Sequence, residues 1–355
     1  MEPLSRVRLL YTGGTIGMRL NEHGVYEPSP GWFEHQVAEQ PQLHDATQPR
    51  FTTRPSRRGR RIHYDIESYD EPLDSANLDL SHWARFAQDI AKVYDDYDAF
   101  VIVHGTDTMA YTASALSFML GGLDKPVIVT GAQIPLMRLR NDALDNLLGA
   151  LGIAGHYRIP EVGLYFHHRL LRGCRATKVD AADLDAFASP NLPPLVEVGV
   201  EVKVNWGVVQ SPAVGGLAVH TALDPHVAAL RLYPGITRRI VENFLQPPLA
   251  GLVLETYGAG NAPARDDDII GALRDASDRG VVIVNVTQCL RGRVRPSYAA
   301  GKLLVDAGVV PGADMTPEAA LAKLAWLLGQ GLPVAEVRRL AGQSLRGELT
   351  EAGDP

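Results

Sequence analysis

Two turns rich in glycine and threonine are the strongest candidates for chemistry in this sequence. The first, Thr12–Gly17, follows a short apolar run, and the second, His104–Thr108, follows the apolar run Ala99–Val103. In an open parallel sheet, ligands bind at the carboxyl ends of the strands, where turns of this kind lie. Threonine hydroxyls placed there can attack a carbonyl carbon or hydrogen-bond a small polar ligand. The rest of the chain is therefore expected to act as a scaffold that brings these two turns together.

A threonine becomes a nucleophile only when a nearby base lowers the cost of losing its proton. The candidates for that base are Asp107, Lys178 and Tyr26. A threonine, a lysine that accepts its proton and a carboxylate that holds the lysine would serve acyl transfer without a metal. The residues alone leave open a simpler role for each threonine, in a turn or at a helix N-terminus.

Other chemistries are poorly supported by the spacing of the residues. Gly13–Gly17 lacks the full G-x-G-x-x-G pattern, and no Lys-Ser/Thr pair follows it, so it is a weak nucleotide-binding motif. His104 is a lone histidine at a strand end and is expected to be a structural residue. His167 and His168 lack the ligand spacing of a zinc site. We predict neither a metal nor a cofactor.

Composition indicates an ordinary soluble globular protein with two domains. The chain has 355 residues, of which 46% are hydrophobic and 21% are charged. A formal net charge of −7 argues against nucleic acid as the main partner, and the basic run Arg54–Arg61 is interpreted as a solvated loop. No secretory hydrophobic region follows Met1 and no apolar run is long enough to span a bilayer. We therefore expect a cytoplasmic protein, free of membrane contact, with Cys174 and Cys289 as free thiols.

Strands that alternate with helices predict an α/β fold built on a parallel sheet. The stretch Arg19–Arg61 has no sustained period and recurrent prolines, so it is predicted to be a long loop, with Gly24–Pro28 as a lid. The predicted domains are a larger N-terminal α/β catalytic domain over residues 1–190, a proline-rich connection over 191–216, and a smaller C-terminal α/β domain over 217–355.

The two turns resemble the paired signatures of the bacterial-type L-asparaginases. Thr12–Gly17 matches one signature and His104–Met109 matches the other. The resemblance extends over nearly the whole chain through three further stretches, Pro72–Ser75, Arg175–Lys178 and Ala186–Pro194. Because no signal peptide is evident, the sequence is most similar to the cytoplasmic type I branch of that family.

The resemblance implies a catalytic role for five residues. Thr15 would be the nucleophile, assisted by Tyr26 on the loop. Thr106, Asp107 and Lys178 would activate the water or the threonine and stabilise the tetrahedral intermediate. The sequence leaves open which threonine attacks first.

The resemblance also implies which residues bind the substrate. Asp74 and Ser75 would hold the α-amino and α-carboxylate groups, and Gly105 and Ala132 would contribute backbone contacts. These types fit an amino acid substrate, which needs one anion and several hydrogen-bond donors. The implied reaction is hydrolysis of L-asparagine to L-aspartate and ammonia through a threonine acyl-enzyme, in a homodimer or homotetramer.

Two alternatives stay open at this stage. An asparaginase-like subunit of a tRNA-dependent amidotransferase would give Arg54–Arg61 a purpose, but that subunit carries an extra N-terminal domain, and here the first strand begins by Val7. The other alternative is a nucleotide-binding or regulatory protein that uses the glycine turns without catalysis.

The sequence departs from the family in two places. Val25 separates Gly24 from Tyr26, whereas in some type I enzymes the tyrosine follows that glycine directly, so the register of the lid is open. Glu255 occupies the position of an arginine that binds an asparagine effector in some type I enzymes, although Thr177 and Cys289 match. A glutamate would repel the carboxylate of the effector, so we expect this allostery to be absent.

Overall fold

The computed structural model describes residues 4–49, 51–56, 59–263, 268–295 and 299–351. The chain forms two compact units. The first consists of Met1–Ser189 and Pro193–His220, and the second consists of Pro190–Leu192 and Thr221–Pro355. Within the described parts of the chain, no helix combines the length and hydrophobicity that crossing a bilayer requires.

The first unit contains the larger sheet and several short additional strands. Its strands are, in chain order, β1 (Leu4–Gly13), β2 (Met18–Leu20), β3 (Tyr26–Pro28), β4 (Arg61–Leu73), β5 (Ala99–Val103), β6 (Leu120–Gly121), β7 (Val127–Thr130), β8 (Val162–Phe166), β9 (Arg169–Arg172), β10 (Thr177–Lys178), β11 (Phe187–Ala188), β12 (Val196–Val198), β13 (Val202–Val204) and β14 (Ala218–Val219). Its helices are α1 (Trp32–Glu39), α2 (Leu80–Lys92), α3 (Met109–Met119) and α4 (Ala143–His156).

Eight of these strands form one mostly parallel sheet, in the order β13-β12-β9-β8-β7-β5-β1-β4. The pairings from β4 across to β8 are parallel, while β9, β12 and β13 are antiparallel. Every residue of β5, β7 and β8 is buried, as expected of parallel strands covered on both faces. The predicted α/β fold is confirmed.

Part of the stretch predicted as a connection, 191–216, lies in this sheet. Strand β12 pairs with β9 and with β13, so residues 196–204 extend the sheet at one edge. The nearby prolines at 193, 194 and 212 lie outside these strands, which fits their lack of a backbone N–H for the ladder.

Helix α1 was not predicted because its eight residues span only about two turns, with Phe33 and Val37 as the buried positions. It lies inside the stretch predicted to be a loop, and that prediction was wrong for residues 32–39 and for the hairpin of β2 and β3. Phe33 and Val37, four residues apart, are its buried positions. The ring of Phe33 stacks on Tyr11 of β1, with ring centroids 4.2 Å apart. Two buried side chains attach the helix to the sheet, but they are too few to produce a recognisable helical periodicity of apolar residues in the sequence.

The second unit contains a smaller parallel sheet, in the order β15-β16-β17-β18. Its strands are β15 (Val227–Arg231), β16 (Gly251–Thr256), β17 (Val282–Thr287) and β18 (Val310–Pro311). Its helices are α5 (Arg238–Phe244), α6 (Asp268–Asp278), α7 (Ala299–Asp306), α8 (Pro317–Gly329) and α9 (Val334–Ala341). Thr316 caps the start of α8, where its side chain accepts a hydrogen bond from the backbone N–H of Ala319.

A fully buried ion pair lies in the second unit. Lys323 Nζ of α8 lies 2.6 Å from Glu348 Oε1, and the two side chains are 1% and 0% exposed. Lys323 Nζ also donates to the carbonyl oxygen of Ala341, at 3.0 Å. The Glu348 carboxylate accepts from the backbone N–H groups of Leu345 and Arg346. The pair thus attaches the loop after α9 to α8.

Lys323→Met is expected to lower the free energy of unfolding by about 3–5 kcal/mol, because it leaves a buried carboxylate without its cation. Denaturant unfolding monitored by circular dichroism measures the change. Arg339→Met is the matched control, since it removes an exposed pair with Glu336 whose side chains are 53% and 38% exposed. The control should cost no more than ~1 kcal/mol. Equal effects of the two substitutions would contradict the role assigned to the buried pair.

Candidate active site

The candidate residues follow four neighbouring strands that end at the same edge of the large sheet. The register aligns Leu73 of β4 with Gly13 of β1, and Val103 of β5 with Thr130 of β7. Asp74, Thr15, the 104–108 turn and Ala132 lie just beyond these strand ends. This is the edge at which open α/β sheets bind their ligands.

Glycines allow the turns to pack backbone against backbone. Gly14 has φ +87°, and a Cβ there would lie 2.5 Å from the backbone nitrogen of Gly105. A Cβ on Gly13 would lie 2.2 Å from the carbonyl oxygen of Leu73, which also accepts a hydrogen bond from the Gly14 N–H at 3.1 Å. A Cβ on Gly105 would lie 2.5 Å from Ser75 Oγ. The turns after β1, β4 and β5 are therefore in direct contact.

Thr15 is the first residue of a short 3-10 turn, Thr15–Gly17, directly after Gly14. It is partly exposed, whereas Ile16 and Gly17 are buried. The contact between Gly14 and Gly105 therefore places the partly exposed Thr15 next to the turn that carries Thr106 and Asp107.

Lys178 links the second turn to the short strand β10. Its Nζ donates to Thr106 Oγ1 at 3.0 Å and to Asp107 Oδ1 at 2.8 Å. Thr106 is 7% exposed, and the side chains of Lys178 and Asp107 are 21% and 65% exposed. The structure thus assembles the threonine, lysine and carboxylate whose combination suits acyl transfer.

Gln133 completes this group and was missed by the sequence reasoning. Thr106 Oγ1 donates to Gln133 Oε1 at 3.1 Å, so the threonine hydroxyl has a defined direction for its proton. Gln133 Nε2 donates to the carbonyl oxygen of Asp183 at 3.3 Å. The signal was present in the sequence, since Gln133 ends a strand-and-glycine turn of the same kind as the other two.

The loop that carries Gln133 is attached at both ends. The Asp142 carboxylate accepts from the backbone N–H groups of Gln133, at 3.0 Å, and Ile134, at 2.9 Å. Further along, the N–H of Leu136 donates to the carbonyl oxygen of Ile16 at 3.0 Å. The loop therefore connects the turn of Thr15 to the group around Thr106.

Tyr26 lies on the hairpin formed by β2 and β3, where it pairs with Leu20. The partner of its hydroxyl among the described residues is Arg138, whose Nε donates to it. The Arg138 guanidinium carbon also lies 5.4 Å from the centroid of the Tyr26 ring. The structure thus places Tyr26 against Arg138, a contact that sequence reasoning did not anticipate.

The residues predicted to bind substrate differ in exposure. Asp74 is exposed and caps the 3-10 turn Ser75–Asn77, accepting from the Ala76 N–H at 3.0 Å. Ser75 is 3% exposed, and its carbonyl oxygen accepts from Thr108 Oγ1 at 2.8 Å. Ala132 is 1% exposed. Asp74 is therefore the member of this set that offers a solvent-facing charge.

His104 is neutral near pH 7. Burial lowers its pKa to about 4, an effect that outweighs the opposite influence of its hydrogen bond to the Gly105 carbonyl. Among the residues that the structure describes, no group of three or more His, Cys, Asp or Glu side chains could hold a metal ion.

Comparisons with known proteins agree with this geometry. The model of the family "Asparaginase, N-terminal" matches residues 6–210, and that of "Glutaminase/Asparaginase C-terminal domain" matches residues 226–340. L-asparaginase 1 of Escherichia coli is 48% identical, over 97% of this chain and 98% of its own length. The 60 kDa lysophospholipase of Mus musculus is 46% identical over 99% of this chain, which spans only 63% of that relative.

Comparison with a solved structure also shows that the fold is similar to that of an L-asparaginase. The crystal structure of L-asparaginase I from Vibrio cholerae superposes with a TM-score of 0.87 at 45% identity, covering 98% of this chain and 99% of that one. The resemblance to the type I branch is confirmed. The chain belongs to the asparaginase family and carries both of its domains.

Proposed function

We propose that this protein is an L-asparaginase that converts L-asparagine to L-aspartate and ammonia through a threonine acyl-enzyme. The observation that carries the proposal is the group formed by Thr106, Asp107 and Lys178 beside the turn of Thr15. Nucleophilic catalysis on an amide needs a hydroxyl, a proton acceptor and a group that orients the acceptor. Thr106, Lys178 and Asp107 are groups of these three kinds, and their contacts support the proposal.

In the first half of the reaction, the Thr15 hydroxyl attacks the carbon of the side-chain amide. The new C–O bond produces a tetrahedral oxyanion, for which backbone N–H groups at the strand ends are the natural donors. The C–N bond then breaks, and the proton lost by Thr15 leaves with the amine as ammonia. Tyr26 on the hairpin assists this proton transfer and is held in position by Arg138.

In the second half, water attacks the carbonyl carbon of the ester on Thr15. The water gives a proton to Thr106 Oγ1 as the Thr106 hydroxyl passes its own proton to Lys178, which acts as a neutral amine, and Asp107 orients the lysine. The ester C–O bond then breaks, the proton returns to Thr15, and aspartate leaves. A positioned acid–base group of this kind typically contributes about 10²–10⁴-fold to the rate.

The substrate is held by its amino acid end. The exposed carboxylate of Asp74 suits the α-amino group, and Ser75, Gly105 and Ala132 surround the α-carboxylate with hydroxyl and backbone donors. We further propose a cytoplasmic homodimer or homotetramer with no nucleic acid or membrane partner, in which the first unit is the catalytic domain and the second unit is the smaller domain.

The test is ammonia release by the purified chain, measured with a coupled assay. Asparagine should release ammonia, and the rate with glutamine shows the preference between the two amides. A subunit of an amidotransferase would release little free ammonia without its partner, and a nucleotide-binding regulatory protein would release none. Absence of ammonia from both amides would refute the proposal.

Gly14→Ala is expected to lower kcat/KM by about 10²-fold, because a displacement of roughly 1 Å between the two turns misaligns the reacting groups. Gly216→Ala is the matched control, since Gly216 also has a positive φ, +80°, but a Cβ there meets nothing within 4 Å. Both variants carry the cost of an unfavourable φ, so only the contact with Gly105 distinguishes them. Similar losses in both would show that close packing of the turns is unimportant.

A further inference from the structure

A buried chain of hydrogen bonds lies behind the 104–108 turn. Trp83 Nε1 of α2 lies 2.9 Å from Thr112 Oγ1 of α3, which lies 2.9 Å from His104 Nε2. The other ring nitrogen, His104 Nδ1, lies 2.6 Å from the carbonyl oxygen of Gly105. Trp83, Thr112 and His104 are 7%, 0% and 1% exposed. Water therefore has little access to these bonds.

The chemistry of the partners fixes the direction of every bond in this chain. The indole N–H of Trp83 can only donate, so Thr112 Oγ1 accepts from it. A carbonyl oxygen can only accept, so His104 Nδ1 carries a proton and donates to Gly105. Because burial keeps the ring neutral, Nε2 has no proton and accepts from the Thr112 hydroxyl. The chain therefore runs in one direction, from Trp83 through Thr112 and His104 to Gly105.

We propose that His104 is a positioning residue for the hydrolytic reaction, locked as its Nδ1–H tautomer by Trp83 and Thr112. Its Nδ1–H holds the carbonyl group of Gly105 and, with it, the peptide plane between Gly105 and Thr106. The packing of Phe86 edge-on against the imidazole, with centroids 6.1 Å apart, restricts rotation of the ring. The tautomer does not depend on the proposed function, whereas its kinetic consequence does.

By holding this peptide plane, His104 also positions the side chain of Thr106. Its Cα belongs to the plane that His104 holds, and its hydroxyl meets both Lys178 and Gln133. If the carbonyl of Gly105 rotates, Thr106 Oγ1 loses its alignment with Lys178. The histidine then acts through Thr106 without touching the substrate, in the way that outer-shell groups orient the residues of an active site.

The tautomer is tested directly by NMR of the full chain labelled with ¹⁵N-histidine. The His104 signals are assigned by their absence in His104→Asn. We expect a protonated Nδ1 and an unprotonated Nε2 at neutral pH, and an unprotonated nitrogen whose signal shifts in Thr112→Val. A proton on Nε2 in the wild type would overturn the proposal, whatever the activity.

Kinetics with asparagine test the positioning role. Thr112→Val should lower kcat by about tenfold, as the loss of one buried hydrogen bond can, with KM changed less than twofold. Thr112→Ser keeps the hydroxyl and should restore kcat to within twofold of the wild type. Ser114→Ala is the matched control, because it removes another fully buried hydroxyl of α3, one that donates to Gly173 instead.

These measurements distinguish a failure of the positioning role of His104 from a failure of the proposed amidohydrolase function. A folded Thr112→Val with the wild-type kcat, or a Ser114→Ala with an equal loss, would contradict positioning through His104. If Thr112→Val fails to fold, Thr112→Ser and the wild-type tautomer still test the positioning role. A proton on Nε2 of His104 is enough to overturn it. A correct tautomer in a chain that releases no ammonia would refute the amidohydrolase and leave the hydrogen-bond chain standing.

Discussion

Thr15→Ala should lower kcat/KM for asparagine by about 10⁴-fold, because it removes the oxygen that forms the bond to the acyl group. What remains should reflect substrate binding and oxyanion stabilisation alone. Thr15→Ser keeps a hydroxyl and should retain a measurable fraction of the activity. Steady-state ammonia release, with each variant shown to be folded by circular dichroism, measures the effect.

Thr12 offers a control in the same turn. Its hydroxyl donates to the carbonyl oxygen of Val103 at 2.9 Å, and the residue is 2% exposed, so its role is structural. Thr12→Val should cost about 1 kcal/mol of stability and leave kcat/KM within tenfold of the wild type. A Thr15→Ala variant that keeps more than a tenth of the wild-type activity would assign the nucleophile elsewhere.

Lys178→Met should lower kcat by about 10²–10³-fold and make hydrolysis of the ester the slow step, because the water loses its proton acceptor. Ammonia should then appear as a burst equal to the enzyme concentration, followed by a slow phase. Rapid quenching and mass spectrometry of peptides should find an aspartyl group on Thr15. An aspartyl group on Thr106 would exchange the roles of the two threonines.

Lys125→Met is the matched control for the lysine. Lys125 Nζ donates to the carbonyl oxygens of Tyr94 and Tyr97, at 2.8 and 2.9 Å, so it anchors a turn after α2 and has no part in the proposed chemistry. This variant should keep the wild-type kcat and show no burst. If Lys178→Met also retained the wild-type kcat, the lysine would have no role in either half of the reaction.

The parts of the site that depend on strand ends could be predicted from sequence. A buried apolar run predicts a strand, glycine after it allows a tight turn, and parallel strands bring their carboxyl ends to one edge. The contacts of Gln133, Arg138 and Asp142 could not be predicted in this way. The contacts of Gln133 with Thr106 and of Arg138 with Tyr26 span 27 and 112 positions of the chain. Even for Asp142, which lies nine positions from Gln133, no local period or motif records which side chain meets which turn.

The residue that caps a helix N-terminus is also hard to predict from sequence, even though the candidates are neighbours in the chain. Asn141 and Asp142 are both suitable residue types for the N-cap of α4, but in the structure they have separate roles. Asn141 Oδ1 accepts from the Leu144 N–H at 3.1 Å, while Asp142 turns to the loop of Gln133. Near the start of α2, Ser81 is a suitable N-cap by residue type but is not the cap. The cap is Asp79, whose carboxylate accepts from the N–H groups of Ser81 and His82 because it is the stronger acceptor.

The bond between Lys178 and Thr106 joins residues that are 72 positions apart in the chain. The site therefore has a high contact order, and its loop-closure entropy is overcome only when most of the first unit has already folded. No contiguous fragment that ends before residue 178 can contain the complete catalytic group. Recovery of activity on refolding therefore reports closure of the long-range contact between Thr106 and Lys178, whereas circular dichroism reports the formation of helices.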